Sequence, residues 1–288
     1  MGRVARNLVA ALALAAAASV APAADCAVEL PASATQGGLV AGRVARGCTV
    51  EFAGRSLRLA ADGGFVFGLG RDAPPSVDVT VRDPGGRATV RSLAVAPRKW
   101  QVERVDGVPQ STVTPAPDIA ARIAREQARV MQARLRDDAR EDFRAGFAWP
   151  AQGRISGVYG SQRFYNGEPS RPHYGVDVAA PVGAEVRAPA PGVVTLAQPD
   201  LFYSGGTVII DHGHALSSSF LHLSKVLVEP GQRVKQGELI ARVGATGRAT
   251  GPHLDWRMNW RDAKVDPQLL AGAMPASPQA PVAQGDMN

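Results

Sequence analysis

Gly206-Thr207-Val208-Ile209-Ile210-Asp211 and Leu216-Ser217-Ser218-Ser219-Phe220-Leu221-His222-Leu223 flank a turn carrying His212-Gly213-His214. The first flank is a run of β-branched residues, the second sets Ser217-Ser218-Ser219 between apolar residues, and each reads as a β-strand. Working outward, Arg187 to Leu196 and Leu239 to Val243 read the same way. Between Val228 and Gly244 the glycines Gly231, Gly237 and Gly244 punctuate the chain as tight hairpin turns do. Residues 149–271 therefore read as one β domain.

The segment before it is also β. Val77-Asp78-Val79-Thr80-Val81 alternates as a half-buried strand does, Asp83-Pro84-Gly85-Gly86 is a turn, and Ala88 to Val95 is the returning strand. Cys48 to Phe52, Ser56 to Leu59 and Phe65 to Phe67 are further strands. Residues 24–110 are expected to form a small β-sandwich. Pro115-Ala116-Pro117 marks a boundary, and Asp118 is placed to cap a connecting helix over 115–145, running to about Arg144. Ile119, Ile123, Val130 and Leu135 make its apolar stripe. Residues 272–288 hold Pro275, Pro278 and Pro281 with little apolar content and read as a disordered tail.

Residues 1–23 read as a secretory signal peptide: Arg3 and Arg6, an apolar run from Leu8 to Val20, then Ala21-Pro22-Ala23. Asp25 before Cys26 does not suit a lipoprotein, and no later segment is apolar enough to span a bilayer. Export to the periplasm is expected, with secretion to the medium second. In an exported chain Cys26 and Cys48 are expected to pair, closing a loop that stabilises by about 3 kcal/mol. The 288 residues are 45% hydrophobic and 20% charged, an ordinary globular composition, with a formal charge of +6. Without Arg3 and Arg6 that is about +4, which is mild, and no basic stretch is interleaved with aromatics. A nucleic-acid partner is not expected.

All five histidines lie between positions 173 and 253. His173 precedes Asp177 by four residues, in a segment that Gly175 and Pro181 keep from being helical. A turn there brings an imidazole and a carboxylate onto one ion. His253 and Asp255 are two apart, and on a strand such residues face the same side. One of them suffices as a ligand, which leaves the other to handle protons. Zinc takes four near-tetrahedral positions, and catalytic sites leave one to water. His222, on a strand, is suited to moving a proton near neutral pH. His212 and His214, in the turn, read as structural. The pattern is that of a metal-dependent amide hydrolase.

His173-Tyr174-Gly175-Val176-Asp177, Phe220-Leu221-His222-Leu223-Ser224 and Thr250-Gly251-Pro252-His253-Leu254-Asp255-Trp256 resemble the motifs of the lysostaphin-type (LytM) zinc endopeptidases. Ala180-Pro181, Asp211-His212-Gly213 and Gly244-Ala245-Thr246-Gly247 match as well, so the resemblance covers Trp149 to about Leu270. It implies that residues 149–271 form an antiparallel β-sheet peptidase domain, which with the N-terminal small β-sandwich and the connecting helix makes a mainly β protein. It implies cleavage of peptide bonds in peptidoglycan cross-links or stem peptides. His173 and Asp177 would be the first two metal ligands, and His222 and His253 the catalytic pair. Where the family usually carries a third histidine ligand, this chain has Asp255. Aspartate is a competent ligand for Zn2+, and a second carboxylate shifts a site towards harder divalent metals.

The basic surface would suit peptidoglycan as a partner, and the N-terminal domain is a place for a protein partner. The alternative function is a degenerate, non-catalytic LytM-domain regulator that activates another cell-wall hydrolase. Val228–Gly237 also resembles a biotinyl or lipoyl hairpin, without the exposed lysine such carriers need.

Overall fold

A computed structural model describes residues 26–105, 117–165 and 167–275. The leader reading of residues 1–23 and most of the tail reading lie outside the described residues. Among the described residues no helix is long and apolar enough to cross a membrane.

The N-terminal part is two small sheets. One holds Val28–Glu29, Leu39–Val44 and Gly64–Gly68. The other runs Ser33–Thr35, Ala88–Ala96, Ser76–Arg82, Thr49–Phe52, Arg55–Ser56. Their inner faces bury Val40, Phe65 and Phe67 against Val50, Val79, Val81 and Leu93. The alternation at Val77–Val81 is thus an inward row of valines and an outward row of polar residues. Cys26 and Cys48 form the disulfide, with Cα atoms 6.0 Å apart. The strand read at Ser56–Leu59 is shorter and earlier, at Arg55–Ser56.

The helix spans Pro117–Arg134 and ends ten residues short of the expected Arg144. Beyond it the backbone is captured by the peptidase-like domain instead of by its own preceding turn. The His214 N–H donates to the Asp138 carbonyl (2.8 Å), and the Phe143 N–H donates to the His212 carbonyl (3.2 Å). A 3-10 turn, Asp142–Ala145, follows. Leu135 leaves the apolar stripe and is 61% exposed. The part of the stripe that packs is Val130 with Ala133, against Leu196, Leu201 and Ile209 of the sheet.

The C-terminal domain is built on an antiparallel sheet in the order Arg154–Gly157, Val176–Ala179, His253–Trp260, Leu216–Leu223, Gly205–Asp211, Gly192–Leu201, Arg233–Val234. Ala263–Val265 pairs with the far half of His253–Trp260. The single strand read over Arg187–Leu196 is split. Pro189 and Pro191 offer no N–H to a ladder. Glu185–Arg187 instead joins Leu239–Arg242 and Lys225–Val226 in a second, three-stranded sheet. Leu216–Leu223 and Gly205–Asp211 are buried along their whole length, the polar Ser217, Ser218, Ser219 and His222 included.

The two domains share one apolar core. Trp260 packs on Phe52, ring centroids 6.1 Å apart, and lies so close to Gly68 that no side chain fits there. Val102–Val105 crosses over to pair with Gln162–Tyr165. The sandwich is therefore fixed against the sheet that carries the histidines.

Candidate metal centre

Register brings the acidic residues together. Val176–Ala179 pairs antiparallel with His253–Trp260 so that Asp177 stands directly opposite Asp255, and Ala179 opposite His253. Like charges opposite one another on a sheet repel, so this pair needs a positive neighbour. His173 supplies one side of the answer. Its segment is pinned by two backbone bonds: the Gly160 N–H donates to the His173 carbonyl (2.7 Å), and the His173 N–H donates to the Ser161 carbonyl (2.9 Å).

His173, Asp177 and Asp255 are all buried, and each offers one ligand atom within 4.8 Å of the others. His173 Nε2 and Asp177 Oδ1 are 3.0 Å apart, yet both are buried atoms without an aligned hydrogen bond. Buried polar atoms normally have partners. Two lone-pair atoms aimed at the same space, with a second carboxylate beside them, fit a divalent cation. An imidazole and two carboxylates form a donor set that zinc accepts.

Two glycines make the room. A Cβ on Gly175 would lie 2.3 Å from Asp255 Oδ1, and one on Gly157 would lie 2.3 Å from Asp177 Oδ2. The glycine inside His173–Asp177 is therefore a steric requirement of the Asp255 carboxylate's position.

Each carboxylate is gripped from behind by a guanidinium. Arg163 Nη2 donates to Asp177 Oδ2 (3.1 Å). Arg257 Nη2 donates to Asp255 Oδ2 at 2.5 Å, and its Nε lies 3.0 Å from both oxygens. Burial opposes ionisation of Asp255, but Arg257 and then His173 outweigh it and hold the carboxyl well below the usual range. Asp177 is also held low. Burial works against this, and the His173 ring beside it overcomes the burial and the repulsion from Asp255.

His222 and His253 face each other with ring centroids 4.8 Å apart. His222 Nδ1 is 2.8 Å from the Thr246 carbonyl, and His253 Nδ1 is 2.8 Å from the Gly251 carbonyl. A carbonyl only accepts, so both Nδ1 atoms carry hydrogen and both Nε2 atoms turn towards the site. His253 Nε2 lies 3.8 Å from Asp177 Oδ1. Burial pushes the pKa of His222 down, against the pull of Asp255 and the Thr246 carbonyl. His222 also sits at φ +64°, in the left-handed region that a non-glycine residue enters at a cost. The register of its strand against Gly205–Asp211 shifts between Gly206 and Val208, so His222 occupies an irregularity that re-aims its side chain.

The other two histidines are placed differently. His212 is bonded at both ring nitrogens, Nδ1 to the Pro191 carbonyl (2.6 Å) and Nε2 to Ser218 Oγ (2.7 Å). His214 is buried against Phe143. In the loop before His173, Gly167 and Glu168 are exposed, while Asn166 and the Tyr165 side chain lie outside the described residues. The sequence reading missed Arg163, Arg257 and Gly157. For Arg257 a signal existed: it follows Asp255 by two residues on a strand and must share its face.

Residues 171–267 match the profile of Peptidase family M23. A crystal structure of an M23 chain from Pseudomonas aeruginosa is 30% identical, with a TM-score of 0.67 over 83% of this chain and 96% of that one. Peptidoglycan DD-endopeptidase ShyB of Vibrio cholerae is 43% identical over 95 residues, 33% of this chain and 22% of that protein. DD-carboxypeptidase/endopeptidase Mpg of Neisseria meningitidis is 38% identical over 127 residues, 44% of this chain and 29% of that protein. The matched part thus spans less than a third of these two relatives.

Proposed function

This chain belongs to peptidase family M23, and from that premise we propose that it hydrolyses peptide bonds in peptidoglycan cross-links or stem peptides, with a zinc ion held by His173, Asp177 and Asp255. The observation that carries the reading is the convergence of three buried donor atoms beside a facing pair of histidines. A bound divalent metal supplies a Lewis acid for the scissile carbonyl and acidifies water.

The histidines divide the remaining work. His222 is kept neutral by burial and presents Nε2 as an acceptor, so it takes the proton from the attacking water and returns it to the leaving nitrogen. His253 turns its Nε2 to the same space, 3.8 Å from Asp177 Oδ1. Protonated, it donates to the oxygen that becomes negative in the transition state. Gly157 and Gly175 keep the carboxylates in place, and Arg163 and Arg257 orient them.

The regulator reading expects ligands to have been lost. Here three donor residues and both histidines are assembled around one space, which supports the catalytic reading. Location in the periplasm belongs to the same proposal. It is supported by the leader-type sequence of residues 1–23 and by a disulfide, a bond favoured in oxidising compartments.

The test is to incubate the purified chain with peptidoglycan, with and without added zinc. Release of new amino groups that His173→Ala abolishes is the expected result. Equal behaviour of the wild type and His173→Ala ends the catalytic claim.

A further inference from the structure

The face that carries the ligands continues past them. Along His253–Trp260, residues Asp255, Arg257 and Asn259 share one side. Register sets Ser219 beside Arg257, and Ser217 and Lys264 on either side of Asn259. The last residue of the helix reaches the same face, where Arg134 Nη2 donates to Ser219 Oγ (3.1 Å).

This stretch holds three cations, Arg134, Arg257 and Lys264. Arg257 is paired with Asp255. Among the described residues, Arg134 and Lys264 have no ion pair. Arg134 Nε, Ser217 Oγ and both amide atoms of Asn259 are buried without a hydrogen-bond partner, and Asn259 is 0% exposed. Burial, then Arg134 and Arg257, push the Lys264 ammonium down to about 7; burial, then Arg257, bring Arg134 down to about 10. Half-buried cations of one sign, beside unsatisfied buried dipoles, are costly unless something anionic completes them.

Space for it exists. Lys264 lines a cleft of about 460 Å³ between the sandwich loop Gly70–Ala73 and Tyr174, the residue after His173. The two carboxylates on its wall are already engaged, Asp72 by Arg71 and Asp262 by Arg55, each at 2.6 Å. Lys264 is the cation left to a ligand.

We propose that Lys264, backed by Arg134 and Arg257, makes this interdomain cleft a carboxylate-binding subsite that holds an acidic arm of the peptide substrate. The inference rests on the reading of the site as a peptidase. Lys264 pairs with Asn259, four residues beyond Asp255, which places the subsite about 14 Å along the strand from that ligand. A peptide lying in the groove spans that distance with about four extended residues. An amide in place of the carboxylate leaves the cations uncompensated, so the subsite separates free from amidated stem peptides. It also gives the N-terminal sandwich a task, since Gly70–Ala73 forms the opposite wall.

The experiment is equilibrium binding by titration calorimetry, with the full chain in chelator so that no turnover intervenes. The probes are a cross-linked stem-peptide dimer with free carboxylates and the same dimer amidated. The wild type is expected to bind the acid about tenfold more tightly, the size of one charge-assisted bond. Lys264→Met is expected to lose that preference while its affinity for the amidated dimer is unchanged. Arg134→Gln is expected to weaken the preference and serves if Lys264→Met misfolds. Equal affinities in the wild type, no measurable binding, or a preference that survives both substitutions each overturn the proposal. Absence of peptidoglycan hydrolysis by the metal-loaded wild type, assayed separately, would count against the peptidase reading and leave this binding difference readable.

Discussion

Arg257 clamps Asp255 from two residues further along the same strand, with Nη2 2.5 Å from Oδ2 and Nε 3.0 Å from both oxygens. The pair has a formal charge of zero, the charge of a neutral imidazole. Counting Asp255 alone suggests that a second carboxylate quenches the charge of any ion held there. Counting Arg257 as well restores the balance of a site with two histidines and one aspartate. Arg163, from a different strand, makes a single contact with Asp177, Nη2 donating to Oδ2 at 3.1 Å. The departure at position 255 thus comes with its own compensation on the same strand.

The first prediction follows from that pairing. Asp255→His alone leaves the Arg257 guanidinium beside the ion with no carboxylate to hold it. Metal affinity, measured by competition with a chromogenic chelator, should fall about 10- to 100-fold. Asp255→His combined with Arg257→Leu should recover most of it, giving a non-additive double-mutant cycle. Additive losses would mean that the two residues do not act as a unit.

Gly175→Ala tests whether Asp255, the proposed third ligand, holds the metal. Its Cβ would sit 2.3 Å from Asp255 Oδ1 and 2.7 Å from Arg257 Cγ, and the carboxylate has to move. Metal affinity should drop about 10- to 100-fold. An unchanged affinity would show that Asp255 is not a ligand.

His222→Asn separates chemistry from folding. Asparagine tolerates the left-handed backbone at φ +64°, so the local irregularity survives. The turnover number should fall about 10²- to 10⁴-fold, the usual worth of a proton-transfer residue, with metal content and Tm close to wild type. A variant that retains most of its turnover would remove His222 from the mechanism.

The strands were legible because burial imposes its period on the residues. Val77–Val81 alternates over a one-sided core, and Val208-Ile209-Ile210 is a continuous apolar run because both faces of its strand are covered. The candidate ligands could be singled out because each lies in a short motif. Their meeting was not, since the opposition of Asp177 and Asp255 is a matter of register between distant strands. The helix end was misplaced for a related reason. Residues 135–144 have a helical composition, but the Asp138 carbonyl is taken by the His214 N–H, a competitor that no local pattern announces. The row Ser217, Asn259, Lys264 was invisible for the same cause, because three separate strands build it.

His212 carries a prediction about stability. Its Nδ1 donates to the Pro191 carbonyl and its Nε2 accepts from the Ser218 hydroxyl, so the ring is neutral with both nitrogens used. Burial pushes its pKa from 6.5 down to about 4, against the opposing effect of the Pro191 carbonyl. Between those values the unfolded chain binds a proton that the folded one refuses, so this contribution to stability is complete above pH 6.5 and lost as pH falls towards 4. His214 and His222 are also pushed down and add to the slope of the wild type. The difference in Tm between wild type and His212→Gln isolates the one residue. It should be largest above pH 6.5 and shrink steadily down to about pH 4.5. Two parallel Tm curves would mean that His212 charges in the folded protein as readily as in the unfolded chain, and that the neutral, doubly bonded ring is not what holds the Pro191 and Ser218 segments together.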